Sequence, residues 1–364
     1  MKILISGVSG TVGIPLVASL LAQDAQLGLV CLVRSGRARA SLEATLAPAQ
    51  CGRIEFIDAD LSDDASVSTA LAALVRRDEP VVGVHLAADV SWDKSCDEMT
   101  QLNVQGTQNF ARLLLALSAQ PHLIYVSTAY TQVQDWDYRN GYEESKALAE
   151  RTLRERFGPQ LPISTFSCSL VVGDSRTGEI ARFNGLYPLI KFLAAFNPPF
   201  LVGNKDGLLD IVPVDWVVAQ LQAMVLRCAR QGAPTETVAS AGGNRVRYEA
   251  AVRVIEARIA LAREATGLAP LPPVPILRDR QWGFLQRALA AWQPPGISKS
   301  DFRYFERLLR VYGTYASSDR VRAPLNVSEP SPDPLAFLPH VVDHWIACNP
   351  RVLRSQTQAV GEPS

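Results

Sequence analysis

Residues 2–13 read KILISGVSGTVG, an apolar run followed by glycines at positions 7, 10 and 13. The run Lys2–Ser6 predicts a strand, and a helical pattern follows over Pro15–Ala22. Glycines at a strand-to-helix turn permit a tight bend and let the backbone approach a pyrophosphate at the helix N-terminus. An ordinary βα turn is the alternative. We predict a dinucleotide-binding loop formed by Gly7, Ser9, Gly10, Thr11, Val12 and Gly13.

The alternation of apolar runs and helical patterns continues through the first half of the chain. Strands are predicted at Leu29–Val33, Ile54–Ile57, Val82–Leu86, Leu123–Ser127, Ile163–Val172 and Val238–Ser240. Helices are predicted at Ala65–Arg76, Asn103–Ala116 and Ser145–Arg156. Strands that alternate with helices indicate βαβ units, and therefore an α/β fold with a doubly wound parallel sheet of Rossmann type.

The overall composition narrows the classes of function. The chain has 364 residues, with 36 basic and 36 acidic side chains, and this balance disfavours nucleic acid and anionic membranes as partners. No apolar stretch is long enough to span a membrane, and the N-terminus lacks signal-peptide features. Six dispersed cysteines indicate reduced thiols, so we expect a cytoplasmic protein. His340 and His344 lack a nearby carboxylate motif, and no metal site is predicted.

The residues after the second predicted strand bear on cofactor choice. Val33 is followed by Arg34 and Ser35, where an acidic residue would favour NAD by binding a ribose hydroxyl. A guanidinium instead suits a 2′-phosphate, so the sequence predicts NADP(H), with a solvated charge run as the alternative. Asp60 and Leu61 follow the third strand and are candidates for the adenine edge, unless Asp60 is only a turn residue.

Tyr142 and Lys146 form the candidate catalytic pair. At i and i+4 they lie on one face of a predicted helix. A neighbouring ammonium favours the phenolate, so we expect Lys146 to lower the pKa of Tyr142 and make the phenol a usable general acid. Ser127 and Thr128, at the end of the fifth strand, place hydroxyl groups at the carboxyl edge of the sheet.

Several further stretches complete a family pattern. They are His85–Trp92, Asn103–Thr107, Val126–Ala129, Gly141–Lys146, Val172–Gly178 and Asp210–Trp216. With the glycine loop, they resemble the extended short-chain dehydrogenases/reductases. More closely, they resemble the thioester reductase and fatty acyl-CoA reductase branch, which has a male-sterility-type NAD-binding domain. The resemblance covers roughly residues 1–230.

The resemblance implies roles for individual residues. Thr128 would bind the substrate carbonyl, with Ser127 as the second candidate, and Tyr142 would donate the proton. Lys146 would hold the nicotinamide ribose, and the Ala87–Ala88 backbone would line the cofactor channel. Asn103 would lie behind the site, or would only cap a helix.

Three positions depart from the family pattern. Ser167-Cys168-Ser169 stands where members often have Arg-Pro-Ser, which puts the support of the nicotinamide carboxamide in doubt. The segment between Thr128 and Tyr142 is short, so a substrate-lining loop is trimmed. Ala147 replaces a frequent aromatic residue after the lysine, which enlarges a pocket.

The domain organisation follows from where the alternation stops. We expect a nucleotide-binding domain at residues 1–178, with 205–243 returning to it. Residues 179–204 and 244–348 would form a smaller, mostly helical substrate-binding cap, and 349–364 a flexible tail. The apolar run Phe183–Phe200 lines an acyl pocket or fills the cap core.

The function implied is NADPH-dependent reduction of an acyl thioester, on coenzyme A or a carrier protein acting in trans, to an aldehyde or onward to an alcohol. One alternative is an extended short-chain dehydrogenase/reductase acting on a ketone, alcohol or nucleotide sugar, because the same residues serve all of these. The other is a non-catalytic NADP-binding regulator, which would need neither Tyr142 nor Lys146.

Overall fold

Strands and helices alternate along the N-terminal half of the computed structural model. The structure describes residues 2–131, 138–196, 198–231, 235–278 and 321–354, together with Arg280, Gln281, Gly283, Thr314 and Tyr315. The strands are β1 Lys2–Ser6, β2 Gly28–Val33, β3 Ile54–Asp58, β4 Arg77–His85, β5 Ser118–Thr128, β6 Ile163–Cys168, β7 Leu170–Val172, β8 Leu201–Val202, β9 Leu208–Leu209, β10 Ile211–Pro213, β11 Glu236–Ala239, β12 Val246–Arg247 and β13 Ile276–Leu277.

The helices are α1 Gly13–Gln23, α2 Gly36–Glu43, α3 Pro48–Cys51, α4 Asp64–Ala73, α5 Cys96–Met99, α6 Gly106–Leu117, α7 Gly141–Phe157, α8 Tyr187–Phe196, α9 Val214–Gln231, α10 Tyr248–Ala265 and α11 Pro334–Cys348. A π-helical segment, Thr100–Gln105, joins α5 to α6. Short 3₁₀ turns lie at Gly242–Asn244 and Val352–Arg354.

Seven strands form one parallel sheet in the order β11-β6-β5-β4-β1-β2-β3. The chain moves outward from β1 through β2 to β3, and then from β4 through β5 and β6 on the other side. This reversal confirms the predicted doubly wound sheet. It also leaves a crevice at the carboxyl ends of β1 and β4, where sheets of this kind bind ligands.

Helix α6 shows why the sequence folds against one face of the sheet. Its residues Phe110, Leu113, Leu114 and Leu117 recur at helical spacing, and all four are fully buried. They join a core cluster with residues of β1, β2, β5, α4 and α7. Helices α1 and α9 pack against each other, where the Ser19 hydroxyl donates to Gln222 Oε1 at 3.1 Å.

Several predicted element boundaries were wrong: strands β4 and β5 begin five residues before the predicted starts, and α6 begins at Gly106. Two further differences concern β6 and α7. The predicted strand Ile163–Val172 is two strands, because the Ser169 N–H still binds Ala239 O whereas the Leu170 N–H turns to Asp210 O. Strand β6 therefore stays in the main sheet and β7 pairs with β10. Helix α7 begins at Gly141 rather than Ser145, because the Asn140 side chain caps it by accepting from the Glu143 N–H.

The chain divides into two compact units. The first contains Met1–Ser169, Val214–Ser240 and Val321–Pro330, and it includes the seven-stranded sheet. The second contains Leu170–Pro213, Ala241–Arg320 and Ser331–Ser364. The assignment of substrate binding to the C-terminal region stays a prediction, and residues 355–364 of the expected tail lie outside the described residues.

In the residues that the structure describes, the second unit contains the helices α8, α10 and α11. Arg258 of α10 makes two short contacts with Asp343 of α11, at 2.7 and 2.6 Å. Leu186, Tyr187, Ile190 and Leu193, in or next to α8, are buried. Much of the apolar run that starts at Phe183 therefore belongs to the interior of this unit. No helix in the described part of the chain is long and apolar enough to cross a membrane.

Truncation of Leu114 to alanine should destabilise the first unit. The side chain is fully buried, so the change leaves a cavity and should lower the free energy of unfolding by about 2–5 kcal/mol. Leu261, 51% exposed on α10, is the matched control, and its alanine variant should stay within about 0.5 kcal/mol of wild type. Urea unfolding measures both, and equal losses would contradict the assigned core.

Candidate active site

The glycine loop is closed by close backbone packing. Gly7 has φ +71°, and a Cβ there would lie 2.6 Å from the Ala87 nitrogen. A Cβ on Gly13 would collide with the Gly7 carbonyl oxygen, which already accepts from the Gly10 N–H at 3.0 Å. Only glycine fits these positions without displacing the neighbouring backbone. The loop thus joins the ends of β1 and β4 at the crevice of the sheet.

The start of α1 is suited to an anion. Val12 precedes the helix and makes no side-chain capping bond, and the first turn carries no acidic residue. The N–H groups of that turn therefore have no side-chain acceptor at the cap, and their partial positive charge favours a phosphate. Ser9, Gly10 and Thr11 lie in the half-exposed loop leading to it. These features fit a dinucleotide pyrophosphate.

Three arginines follow β2, and they differ in their surroundings. Arg39 forms an ion pair with Glu43 at 3.0 Å and lies over the Phe56 ring. Arg34 and Arg37 are exposed, with no ion pair among the described residues. Ser35 caps α2 by accepting from the Ala38 N–H. Arg34 is therefore available at the carboxyl end of β2, where a 2′-phosphate would lie in the predicted binding mode.

Asp60 and Leu61 have well-defined structural partners. Asp60 Oδ1 accepts from the N–H and the hydroxyl of Ser62, at 2.9 and 2.6 Å, which makes it a turn residue. The Leu61 side chain is buried in the core, and its carbonyl accepts from Asn109 Nδ2. Contact of either residue with adenine stays a prediction.

Helix α7 places Tyr142 and Lys146 one turn apart, beside β5. Lys146 is buried, and its ammonium lies 4.3 Å from the centre of the Tyr125 ring. The Tyr125 hydroxyl donates to the Lys146 carbonyl at 3.1 Å. Tyr125 thus holds the lysine by its main chain and stabilises its charge by a cation–π contact.

Burial dominates the electrostatics of the pair. Burial lowers the pKa of Lys146 to about 8, against the opposing effects of Cys168 and Glu150. Burial also raises the pKa of Tyr142 above 10, with Cys168 and Glu143 adding to the shift. The expectation that Lys146 brings the pKa of Tyr142 below its usual value was therefore wrong. The phenol is protonated at neutral pH, which suits a group that donates a proton.

The ends of β5 and β6 supply the remaining side chains. Ser127 Oγ lies 3.3 Å from Thr131 Oγ1, whereas no hydrogen bond is recorded for the Thr128 side chain among the described residues. Thr128 pairs in register with Cys168. Burial raises the pKa of the Cys168 thiol to about 11, so it is protonated at neutral pH. Binding of a substrate oxygen by Thr128 or Ser127 stays a prediction.

Asn103 is not a helix cap, because it lies within the π-helical segment and is buried. Its Oδ1 accepts from the Asp89 N–H at 2.7 Å, and its Nδ2 lies 3.0 Å from Asp89 O and 2.9 Å from Ser145 Oγ. Asn103 therefore ties the loop after β4, which contains Ala87 and Ala88, to the helix that carries Tyr142 and Lys146.

Sequence reasoning missed two residues around this site. Tyr125 is predicted only as a strand residue, and no local pattern shows that it lies under an ammonium. His85 belongs to a stretch that supports the family resemblance, yet the resemblance gives it no role. Residues 132–137 of the predicted trimmed loop lie outside the described residues. Within the described ranges, no three His, Cys, Asp or Glu side chains are grouped to hold a metal ion.

The sheet, the glycine loop and the Tyr142–Lys146 pair define a dinucleotide-dependent oxidoreductase of the short-chain dehydrogenase/reductase type. A profile of the male sterility protein family matches residues 5–135 and 131–221. The chain therefore belongs to that family, in the thioester reductase and fatty acyl-CoA reductase branch of the extended short-chain dehydrogenases/reductases. The predicted family, fold class and enzyme class are confirmed.

Two proteins with similar sequences have names that describe different activities, a synthase and a dehydratase. An isonitrile lipopeptide synthase from Streptomyces coeruleorubidus is 26% identical over 261 residues, covering 65% of this chain and 17% of that protein. A probable dTDP-glucose 4,6-dehydratase from Sinorhizobium fredii is 26% identical, covering 68% of this chain and 73% of that protein. The chain thus spans less than a fifth of the synthase that it matches.

Two solved structures share the fold. The terminal R domain of the myxalamid PKS-NRPS pathway has a TM-score of 0.67 at 20% identity, covering 96% of this chain and 91% of that domain. A thiolation-reductase di-domain from an archaeal non-ribosomal peptide synthetase has a TM-score of 0.63 at 15% identity, covering 96% and 76%. At these identities the comparison establishes the fold.

Glu150→Gln should shift the pH dependence of NADPH binding. Glu150 lies one turn beyond Lys146 and stabilises its ammonium, so loss of the carboxylate should lower the pKa of Lys146 further below about 8. If NADPH binding depends on the charged ammonium, the pH at which the affinity falls should be lower than in wild type by about half a pH unit or more. Fluorescence titration of NADPH between pH 6 and 10 measures the shift.

Glu155→Gln is the matched control, because it makes the same change at an exposed position of α7. Its binding profile should follow that of wild type. Identical profiles for all three proteins would show that the Lys146 charge does not govern cofactor affinity.

Proposed function

We propose that this protein reduces an acyl thioester to an aldehyde with NADPH. The observation that carries the proposal is the grouping of Thr128, protonated Tyr142 and buried Lys146 at the carboxyl edge of the sheet, in a chain of the thioester reductase branch. The reaction consumes thioester, NADPH and one proton, and yields aldehyde, free thiol and NADP⁺. The C–S bond breaks and a C–H bond forms, so the acyl carbon gains two electrons.

Three side chains, those of Thr128, Tyr142 and Lys146, would act around the carbonyl oxygen of the substrate. Bound NADPH would supply a hydride. The Thr128 hydroxyl would hold the substrate oxygen, and the Tyr142 phenol would donate a proton to it as negative charge develops, giving a hemithioacetal. Collapse of the hemithioacetal would return that proton to the Tyr142 oxygen and break the C–S bond. The leaving thiolate would take up the one proton that the overall reaction consumes. The Lys146 ammonium would stabilise that charge and bind the nicotinamide ribose. Its position over Tyr125 keeps it fixed in a buried setting where electrostatic effects are strong.

A carrier-protein thioester is the preferred form of substrate. The isonitrile lipopeptide synthase is far longer than this chain, and one solved structure joins a reductase to a thiolation domain. By analogy, the acyl group would reach this chain on a carrier protein, with acyl-CoA as the alternative donor. Further reduction to the alcohol would use the same residues, because an aldehyde carbonyl presents the same oxygen to Thr128 and Tyr142.

NADPH is the proposed cofactor because Arg34, directly after β2, has an exposed guanidinium, and no acidic residue is present there. A 2′-phosphate can accept two hydrogen bonds from a guanidinium, whereas the NADH ribose hydroxyl offers no charge. The pyrophosphate would lie at the N-terminus of α1, with the Ala87–Ala88 backbone along the cofactor channel.

The main rival is reduction or dehydration of a nucleotide sugar, which the dTDP-glucose dehydratase relative represents. Against this rival, the profile match over residues 5–135 and 131–221 assigns the chain to the male sterility family, in the branch of the thioester reductases. A non-catalytic regulator is disfavoured because it needs neither a protonated tyrosine nor a buried lysine one turn away.

Turnover of a thioester should yield two products together, a free thiol and an aldehyde. Wild type incubated with NADPH and a panel of acyl-CoA and acyl-carrier thioesters should release free thiol and aldehyde in equal amounts. Tyr142→Phe should lower the rate roughly 10²–10⁴-fold, because the proton donor is lost, while NADPH still binds. Brisk reduction of a ketone or turnover of a sugar nucleotide, with no thiol released from any thioester, would favour the rival.

Arg34→Ala should reduce the preference for NADPH over NADH. Loss of the charged contact should weaken NADPH binding roughly tenfold and leave NADH binding nearly unchanged. Calorimetry with both cofactors measures the ratio. Arg39→Ala is the control, since Arg39 is already paired with Glu43, and its ratio should match wild type. Tighter binding of NADH by wild type would refute the cofactor assignment.

A further inference from the structure

A chain of hydrogen bonds runs through the interior from the cofactor loop to Asn103, and His85 lies at its centre. The Ala87 N–H donates to Ser6 Oγ at 3.3 Å, and Ser6 Oγ lies 2.7 Å from His85 Nδ1. On the other side, His85 Nε2 lies 2.9 Å from Thr107 Oγ1, which donates to Asn103 O at 2.6 Å. Three side chains and the main-chain carbonyl of Asn103 take part, and all four residues are at most 1% exposed.

The proton positions follow from counting donors. The Thr107 hydroxyl uses its proton toward Asn103 O, so it must accept from His85, and Nε2 carries the hydrogen. His85 Nδ1 is then an acceptor for the Ser6 hydroxyl, whose oxygen accepts from the Ala87 N–H. Burial, and secondarily the charge of Lys146, hold the pKa of His85 well below its usual value, so the ring is neutral.

The two ends of this series of hydrogen bonds lie at the two parts of the site, the cofactor loop and the helix α7. Ala87 belongs to the loop that packs on Gly7, where the pyrophosphate-binding turn begins. Asn103 fixes Asp89 in that same loop and Ser145 in the helix that carries Tyr142 and Lys146. A displacement of the His85 ring would therefore disturb the cofactor loop and the catalytic helix together. The Phe110 ring stacks on His85 with centroids 4.8 Å apart, which restricts such a displacement.

We propose that His85 is a positioning residue for NADPH: as the neutral Nε2–H form, it couples the Ala87 amide through Ser6 to the Asn103 carbonyl through Thr107. The proposal rests on the NADPH site described under Proposed function. It does not depend on the identity of the substrate, so cofactor binding and the state of the ring can test it without turnover.

Nitrogen NMR of ¹⁵N-labelled protein tests the ring directly. The chain has 4 histidines, and the His85→Gln spectrum assigns the missing signal. Between pH 6 and 8, His85 should show a protonated Nε2 and an unprotonated Nδ1, without titration. A protonated Nδ1, or a ring that becomes charged in this range, would overturn the proposal.

A mutant cycle on NADPH affinity tests the coupling. Ser6→Ala and Thr107→Val should each weaken binding roughly two- to tenfold, whereas Thr107→Ser, which keeps the hydroxyl, should restore it. Both single changes act through one ring, so the double variant should lose about as much affinity as the weaker-binding single variant. Fully multiplicative losses, or no rescue by Thr107→Ser, would refute the coupling.

Ser164→Ala is the matched control for burial. Ser164 Oγ lies 2.8 Å from His122 Nε2 in another buried serine–histidine pair of the same sheet, and neither residue belongs to the proposed site. This variant should lower the melting temperature as Ser6→Ala does, yet keep wild-type NADPH affinity. If Ser6→Ala and Ser164→Ala lose NADPH affinity equally, Ser6 contributes only to the stability of the fold. Failure of the thioester assay with these binding results intact would overturn the proposed substrate and leave the His85 assignment standing.

Discussion

The site depends on keeping the ammonium of Lys146 charged in a buried place. A buried ammonium is costly, and here the cost is offset by the Tyr125 ring at 4.3 Å and by the charge of Glu150. The balance leaves the lysine with a pKa of about 8, so it is mostly charged at neutral pH. The register of β5 against β6 and the placement of α7 next to β5 are what bring these groups together.

Burial has the opposite effect on the pKa of Tyr142, which it raises. Desolvation disfavours the phenolate, so Tyr142 keeps its proton, and the site holds a neutral donor beside a cation. This combination suits reduction of a carbonyl, in which negative charge on oxygen must be met by both a proton and a positive charge. Burial keeps the Cys168 thiol protonated as well, so at neutral pH it adds no negative charge beside the lysine and the tyrosine.

The sequence allowed prediction of the parts of the fold that depend on short repeating patterns. Strand β1 has the predicted bounds, and the seven-stranded parallel sheet follows from alternating apolar runs and helices. The break at Ser169 was missed, because Ile163–Val172 reads as one continuous β-prone run and only long-range partners separate β6 from β7. The pKa of Tyr142 was misjudged for a related reason, since helical spacing shows a neighbouring lysine but not the depth of burial around both.

Asn103 illustrates the same limit at the level of one residue. Its position before a helical pattern suggested a cap, whereas the π-helical segment turns its side chain toward Asp89 and Ser145, which are distant in sequence. Tyr125 and His85 were likewise invisible as site residues, because their roles arise from contacts between β4, β5, α6 and α7. Such contacts link the cofactor loop to the catalytic helix without leaving any local signature.

Deuterium transfer tests the central claim most directly. The protein is incubated with an acyl thioester and with NADPH that carries deuterium at its reactive carbon. The aldehyde is then trapped, and its deuterium content is measured by mass spectrometry. The account predicts one deuterium on the aldehyde carbon for each thiol released, and almost none with Tyr142→Phe. Thiol release without deuterium in the product, or undiminished transfer in Tyr142→Phe, would contradict it.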